Sequence, residues 1–242
     1  MNKLVLELSP GAGLFGRAFE YLGFTVVRGS DILWGGYVRE FSAKPNMFDG
    51  VIDGAPCQMF SVASGGSSKA ENLIPEFLRV VDEAKPKWAV MENVTQVKEY
   101  GPNWPSEIIR DYDAGGLTHR TRRFWYYGCD AHEKPPTREG DAELSVLASQ
   151  WKNRGKDGRK SYRQQVTAEE AARLQGFEGL HTKIMNGQPS GITDKQRQIL
   201  AIHMIGNGVP LHMGLYVAKH ILKEVYKEEH VENRSNNIQN IR

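Results

Sequence analysis

A chain of 242 residues, 40% hydrophobic and 25% charged, can bury one substantial core or a core with a smaller appendage. No apolar run approaches the roughly 18–20 residues that cross a bilayer, and two cysteines without metal-ligand spacing argue against a disulfide framework or a zinc site. A formal net charge of +2 permits nucleic-acid binding without requiring it.

The opening MNKLVLELSPG is too short for a signal peptide and reads as a first strand, KLVLEL, running into SPGAG. A reducing cytoplasm is the expected compartment, and a free thiol stays reactive there. LFGRAFEYLG places Leu14, Ala18 and Leu22 at helical spacing and stops at Gly23. FTVVRG and FDGVIDG read as strands, and NLIPEFLRVVDEAKP as a helix carrying Phe77, Leu78, Val81 and Ala84 inward and closed by Pro86. KWAVMENV and RRFWYYGCD are two more strands. Strands alternating with helices predict a mostly parallel α/β sheet, which binds ligands at the carboxyl ends of its strands. SPGAG, APCQ and MENV all fall at such ends.

After Cys129 the chain turns rich in proline, glycine and charge, predicting an irregular subdomain. Within it, WKNRGKDGRKSYR sets Lys152, Arg154, Lys156, Arg159, Lys160 and Arg163 against the single Asp157. Glycines break this run, so it is a basic loop, with a solvated surface and phosphate contact as equal readings. TAEEAARLQGF starts a helix with Thr167 as N-cap, Glu169 and Glu170 in the first turn and Gly176 at its end. Two further helical stretches, between Asp194 and Tyr226, are broken by Gly206, Gly208 and Pro210, and the tail from Lys227 is polar.

Taken singly, these motifs say little. A lone GAG marks a close backbone approach, the Walker lysine pattern is missing, and a cysteine at a strand end is ordinarily a packed hydrophobe. Their order says more. ELSPGAGLFGRAFE, GAPCQMFSVASG, VMENV, LTHRTRRFWYYG, YRQQVTAEEAARLQGF and IGNGVP follow one another between Leu4 and Val217, and this arrangement resembles the cytosine carbon-5 DNA methyltransferase family. EAARLQGF and GNGVP are its most specific blocks.

The resemblance implies a Rossmann-like, S-adenosylmethionine-dependent methyltransferase sheet with a small, irregular target-recognition subdomain. Its catalytic part would be residues 1–128 and 201–226, its recognition part 129–200, and its tail 227–242. Cys57 matches the family nucleophile, Glu92 the glutamate that engages ring nitrogen 3 and the exocyclic amine of cytosine, and Arg120 and Arg122 the strand arginines, one of them near oxygen 2. A thiolate adding to carbon 6 makes carbon 5 nucleophilic toward a methyl sulfonium. The base that later removes the carbon 5 proton is not named by the sequence, and Cys129 reads as structural. Cofactor contacts are expected from Ser9, Gly11, Ala12, Gly13, Leu14, Phe15, Asp31, Ile32, Pro56, Leu73, Asn207 and Val209. Asp31 is the candidate for the ribose hydroxyls, with Ser30 as the alternative. DNA contacts are expected from Gln58, Ser61, Ser64 and Lys69 beside the cysteine, and from Lys152, Arg154, Lys156, Arg159, Lys160 and Arg163. No metal and no membrane are implied. Double-stranded DNA is the expected partner, a monomer the expected state, and a bacterial or phage-infected cytoplasm the expected place, in a restriction-modification setting.

The chain departs from the family pattern in four ways. Ser9 stands where an aromatic residue packs on the adenine, so Phe15, Ile32 or another side chain must supply that surface. The stretch from Asp31 to Asp49 is short, Thr118 replaces a glutamine, and the recognition segment has roughly thirty residues. So few residues predict a short or degenerate target read over a phosphate-dominated contact. The competing readings are a transfer-RNA cytosine methyltransferase, whose Cys-Phe-Thr signature is not found here, and a catalytically silent DNA-binding homologue.

Overall fold

The computed structural model describes residues 3–31, 35–56, 71–99, 101–146 and 166–228. Six strands form one sheet in the order β2-β1-β3-β4-β6-β5: β1 (Leu4–Leu8), β2 (Thr25–Arg28), β3 (Gly50–Asp53), β4 (Trp88–Asn93), β5 (Ser106–Arg110) and β6 (Thr121–Tyr127). The first four strands pair in parallel, while β6 runs antiparallel to both β4 and β5. The sheet is therefore parallel at one end and a hairpin at the other.

β5 is an element the sequence reading left out. Its SEIIR alternates, but Glu107 takes an inward position, where its carboxylate accepts the Tyr126 hydroxyl at 2.5 Å. A buried acid at an apolar position hides the period-2 pattern.

Two layers of helix cover the sheet, and period-2 alternation assigns its side chains to them. Val5 of β1, Ile52 of β3, Trp88 and Val90 of β4, and Phe124 and Tyr126 of β6 pack on one face with α1 (Leu14–Tyr21) and α6 (Leu211–Glu224). Leu6, Leu8, Val51, Ala89, Met91 and Trp125 pack on the other with α2 (Ile74–Ala84). Glu7, Glu92 and Arg122 continue the first face to the carboxyl edge of the parallel strands, as alternation requires. Two glycines allow the close packing there. A Cβ at Gly16 of α1 would lie 2.3 Å from Glu7 Oε2, and one at Gly214 of α6 would lie 2.5 Å from the Ala18 Cβ.

The chain beyond β6 is irregular from Asp130 to Val146. It then holds α3 (Ala168–Leu174), α4 (Leu180–Asn186) and α5 (Asp194–Asn207). Thr167 caps α3 by accepting the Glu170 N–H at 3.0 Å, and Thr193 caps α5 in a reciprocal box with Gln196. Residue 200 falls inside α5, and Ala171, Ala172, Leu174, Phe177 and Leu180 join the core formed by α1 and α6. Gly206 lies within α5, and the break before α6 comes at Gly208–Pro210.

Candidate active site

A cavity of about 200 Å³ opens at the carboxyl edge of β1, β3 and β4, closed on its far side by the end of α5. The first wall is the turn after β1. Ser9, Gly11 and Gly13 take left-handed backbone angles, with φ of 45°, 52° and 68°, and Gly13 N–H closes the turn on Pro10 O at 2.6 Å. Glycine accepts such angles without strain, which is why SPGAG can reverse the chain directly into α1. Asp31 fastens this turn by accepting the Gly11 N–H at 2.8 Å.

The second wall is the loop after β3. Gly54, Ala55 and Pro56 line the cavity, and the Asn93 amide donates to Ala55 O at 3.1 Å, tying this loop to the end of β4. The third wall is an ion pair. Arg122 Nε lies 2.8 Å from Glu92 Oε1, both side chains face the cavity, and Glu92 is only 6% exposed. Burial raises the Glu92 carboxyl above its ordinary range, and Arg122 and then Arg120 pull it back down.

Of the expected cofactor residues, Ser9, Gly11, Ala12, Leu14, Phe15, Asp31, Pro56, Asn207 and Val209 all line this one cavity. Gly13 and Leu73 do not. Gly13 is turned toward the Arg28 side chain, whose Nε would lie 2.6 Å from an added Cβ, and Leu73 is the N-cap of α2 on the opposite sheet face. Arg120 is also absent from the wall. Its guanidinium is buried and donates to Val146 O at 2.8 Å and Gly206 O at 3.0 Å, so it joins the irregular segment to α5. Cys57, Gln58, Ser61, Ser64, Lys69, Ile32 and the basic residues Lys152, Arg154, Lys156, Arg159, Lys160 and Arg163 lie outside the described residues.

Seven cavity residues were not among the expected site residues: Glu7, Pro10, Gly54, Ala55, His203, Met204 and Gly208. Glu7 was legible in principle, since alternation from Val5 puts it on the same face as Glu92. Its Oε1 accepts the Gly16 N–H at 2.8 Å. Its buried Oε2 makes no hydrogen bond among the described residues, the Arg28 Nε standing 3.4 Å away. Burial pushes this carboxyl up to about 7, and the neighbouring Asp53, wholly enclosed, to about 8. A cavity with an under-satisfied buried carboxylate, a left-handed glycine turn and a further carboxylate at the end of β2 fits a cationic nucleoside such as S-adenosylmethionine. The glutamine that caps the end of α3 also finds its purpose here. Gln175 donates to Ile205 O at 2.8 Å and Gly208 O at 3.1 Å, so EAARLQGF holds GNGVP against the cavity.

Cys129 is half-buried, and its thiol is pushed up to about 11 by burial, with Glu224 and Asp130 adding to the effect. It holds no thiolate at neutral pH. Among the described residues no group of His, Cys, Asp or Glu could hold a metal ion, and no helix is long and apolar enough to cross a membrane.

The sheet, with the cavity at its carboxyl edge, defines the class, a Rossmann-like α/β fold. Solved structures share it: a protein described as a DNA modification methyltransferase encoded within a prophage (E. coli) superposes with a TM-score of 0.59 at 16% identity over 92% of this chain and 99% of its own. The Entamoeba histolytica methyltransferase EhMeth gives 0.61 at 13% identity over 92% and 98%. Sequence comparison matches part of the chain. Residues 37–103 match the model of the C-5 cytosine-specific DNA methylases. The type II methyltransferase M.AquIA of Picosynechococcus sp. is 53% identical over 86 residues, which are 34% of this chain and 35% of that protein. M.FnuDI of Fusobacterium nucleatum, also a type II methyltransferase, is 26% identical over 133 residues, 46% of this chain and 38% of its own. The resemblance to the cytosine carbon-5 DNA methyltransferases thus holds, although the chain spans little more than a third of these relatives' lengths.

Proposed function

We propose that this chain is a DNA cytosine-5 methyltransferase that draws a cytosine out of duplex DNA and methylates its carbon 5. The observation that carries the reading is the buried Glu92–Arg122 pair on a cavity wall shared with the glycine turn and with Pro56, the residue before Cys57. A target base in a duplex cannot reach such a cavity, so it must be unstacked at a cost of a few kcal/mol. Cys57 as thiolate then adds to carbon 6 while Glu92, its carboxyl raised by burial, holds a proton at ring nitrogen 3. Arg122 fixes Glu92 in place and is the arginine of the two that faces the cavity, so it is the one assigned to oxygen 2. S-adenosylmethionine, when bound, supplies the methyl group that carbon 5 takes. Ser9, Gly11, Asp31, Asn207 and Val209 would hold it, with Glu7 facing its positive charge. Arg120 positions these groups through Gly206 rather than touching substrate.

Double-stranded DNA as partner, a monomeric state, a bacterial or phage-infected cytoplasm and a restriction-modification role belong to the same reading, the last of them supported by the two type II relatives. The basic segment 152–163 would grip phosphates, and the target would be short. DNA carrying 5-fluorocytosine tests the mechanism, because fluorine cannot leave carbon 5 as a proton does. Covalent capture of the chain, lost in Cys57→Ala, is expected. Methylation of transfer RNA in preference to DNA would transfer the reading to RNA, and a chain that methylates neither would leave only the silent homologue.

A further inference from the structure

His203 is used by nothing so far, yet its ring lines the cavity from the last turn of α5. Asn207 stands one helical turn on and also lines it, with its Nδ2 3.2 Å from His203 Nε2. With the amide nitrogen toward the ring, Nε2 accepts this bond and Nδ1 is left as the ring's donor. Nδ1–H has no hydrogen-bond partner among the described residues. Asn207 therefore turns a donor toward the ligand at the exposed mouth of the cavity.

The remaining charges say what that donor meets. Glu7, Asp31 and Glu92 are the acidic side chains of the wall, and the guanidinium of Arg122 is tied to Glu92 at 2.8 Å. The proposed cofactor carries a sulfonium and an amino group, which suit those carboxylates, and one carboxylate, which they repel. That carboxylate needs a donor away from them, and the end of α5 supplies it.

We infer that His203, held by Asn207, binds the carboxylate of the cofactor's amino-acid part and so orients the sulfonium end in the cavity. The inference rests on the methyltransferase reading and assigns His203 a positioning role, with no part in proton transfer. A hydrogen bond to a charged group is strong enough that its loss should weaken binding about tenfold or more.

Calorimetric titration of the full chain with S-adenosylhomocysteine and with 5′-methylthioadenosine tests it, because the second ligand keeps the nucleoside and sulfur but lacks the amino-acid part. His203→Ala should weaken the first about tenfold and leave the second within about twofold. His203→Gln, which keeps a donor, should recover most of the loss. Equal weakening of both ligands would make His203 a wall residue of shape alone and overturn the assignment. No weakening of either would assign the carboxylate to backbone donors at the start of α1, and would overturn it too. If the unaltered chain bound neither ligand, the methyltransferase reading itself would fall, and this assignment with it.

Discussion

Glu92 and Arg122 meet diagonally across the antiparallel pairing of β4 and β6. Glu92 stands opposite Phe124, and Arg122, two residues back on the same face, places its Nε 2.8 Å from Glu92 Oε1. Diagonal neighbours of this kind are within reach of long side chains. The turn from a parallel to an antiparallel strand at this point therefore has a chemical consequence: it brings an arginine from the hairpin to the carboxyl end of β4, where the cavity opens.

Glu92→Gln should fold and bind DNA yet lose methyl transfer. The amide can reach a ring nitrogen but holds no ionisable proton there, and help of this kind is worth roughly 10²–10⁴-fold. Single-turnover methyl transfer checks it. A rate within about twofold of the parent would return Glu92 to a structural ion pair.

The two strand arginines should separate cleanly. Arg120→Met leaves two buried carbonyls, those of Val146 and Gly206, without their donor. At about 1–3 kcal/mol for each unsatisfied group, the loss of stability should reach about 3 kcal/mol in urea unfolding. Arg122→Met instead leaves Glu92 beside it, and a carboxyl already raised by burial can take up a proton rather than stay charged and unpaired. Stability should change little while methyl transfer falls at least about a hundredfold. Equal stability losses in both variants would contradict this division.

Much of this arrangement was legible in the chain before any coordinates. Thr167 caps α3 as its position in TAEEAARLQGF suggests, and most of the expected cofactor residues converge on one cavity, those of SPGAG and Pro56 because they follow strands and Asn207 and Val209 because α5 ends there. What was not legible depends on long-range partners. Arg120 and Arg122 look alike in THRTRRF, and only the positions of Val146, Gly206 and Glu92 tell them apart. Leu73 stands among the expected cofactor contacts, but it caps α2, which packs on the other sheet face. His203 carries no motif of its own, and its place on the wall follows from how α5 ends.

DNA binding should be steeply salt-dependent if the basic segment carries it. Replacing Lys156 and Arg159 by alanine should reduce the slope of log K against log salt by roughly 2 and weaken all sequences about equally. Filter binding on random duplexes measures both. A strict preference for a six-base-pair site would mean that the short segment reads bases rather than phosphates.

The enclosed carboxyls make a prediction about pH. Asp53 is pushed up to about 8, by burial first, with the charges of Glu7, Glu92 and Asp31 adding to it and a Ser9 hydrogen bond opposing it. A carboxyl whose folded value is raised favours the neutral folded form, so its contribution is complete below the ordinary carboxylate range and is lost as pH climbs through the raised value. Glu7, at about 7, acts in the same direction. The thermal midpoint of the ligand-free chain should therefore decline from about pH 4 and level off above about pH 8 as far as these two groups set it. Asp53→Asn supplies a side chain that stays neutral throughout and can still bond to Ser9. Its midpoint, compared with the parent's at about pH 4, should rise relative to it with pH, the gap reaching its full size by about pH 8. Parallel curves across that range would show that Asp53 is already ionised in the fold, and that its unpartnered Oδ1 is served by some other charge.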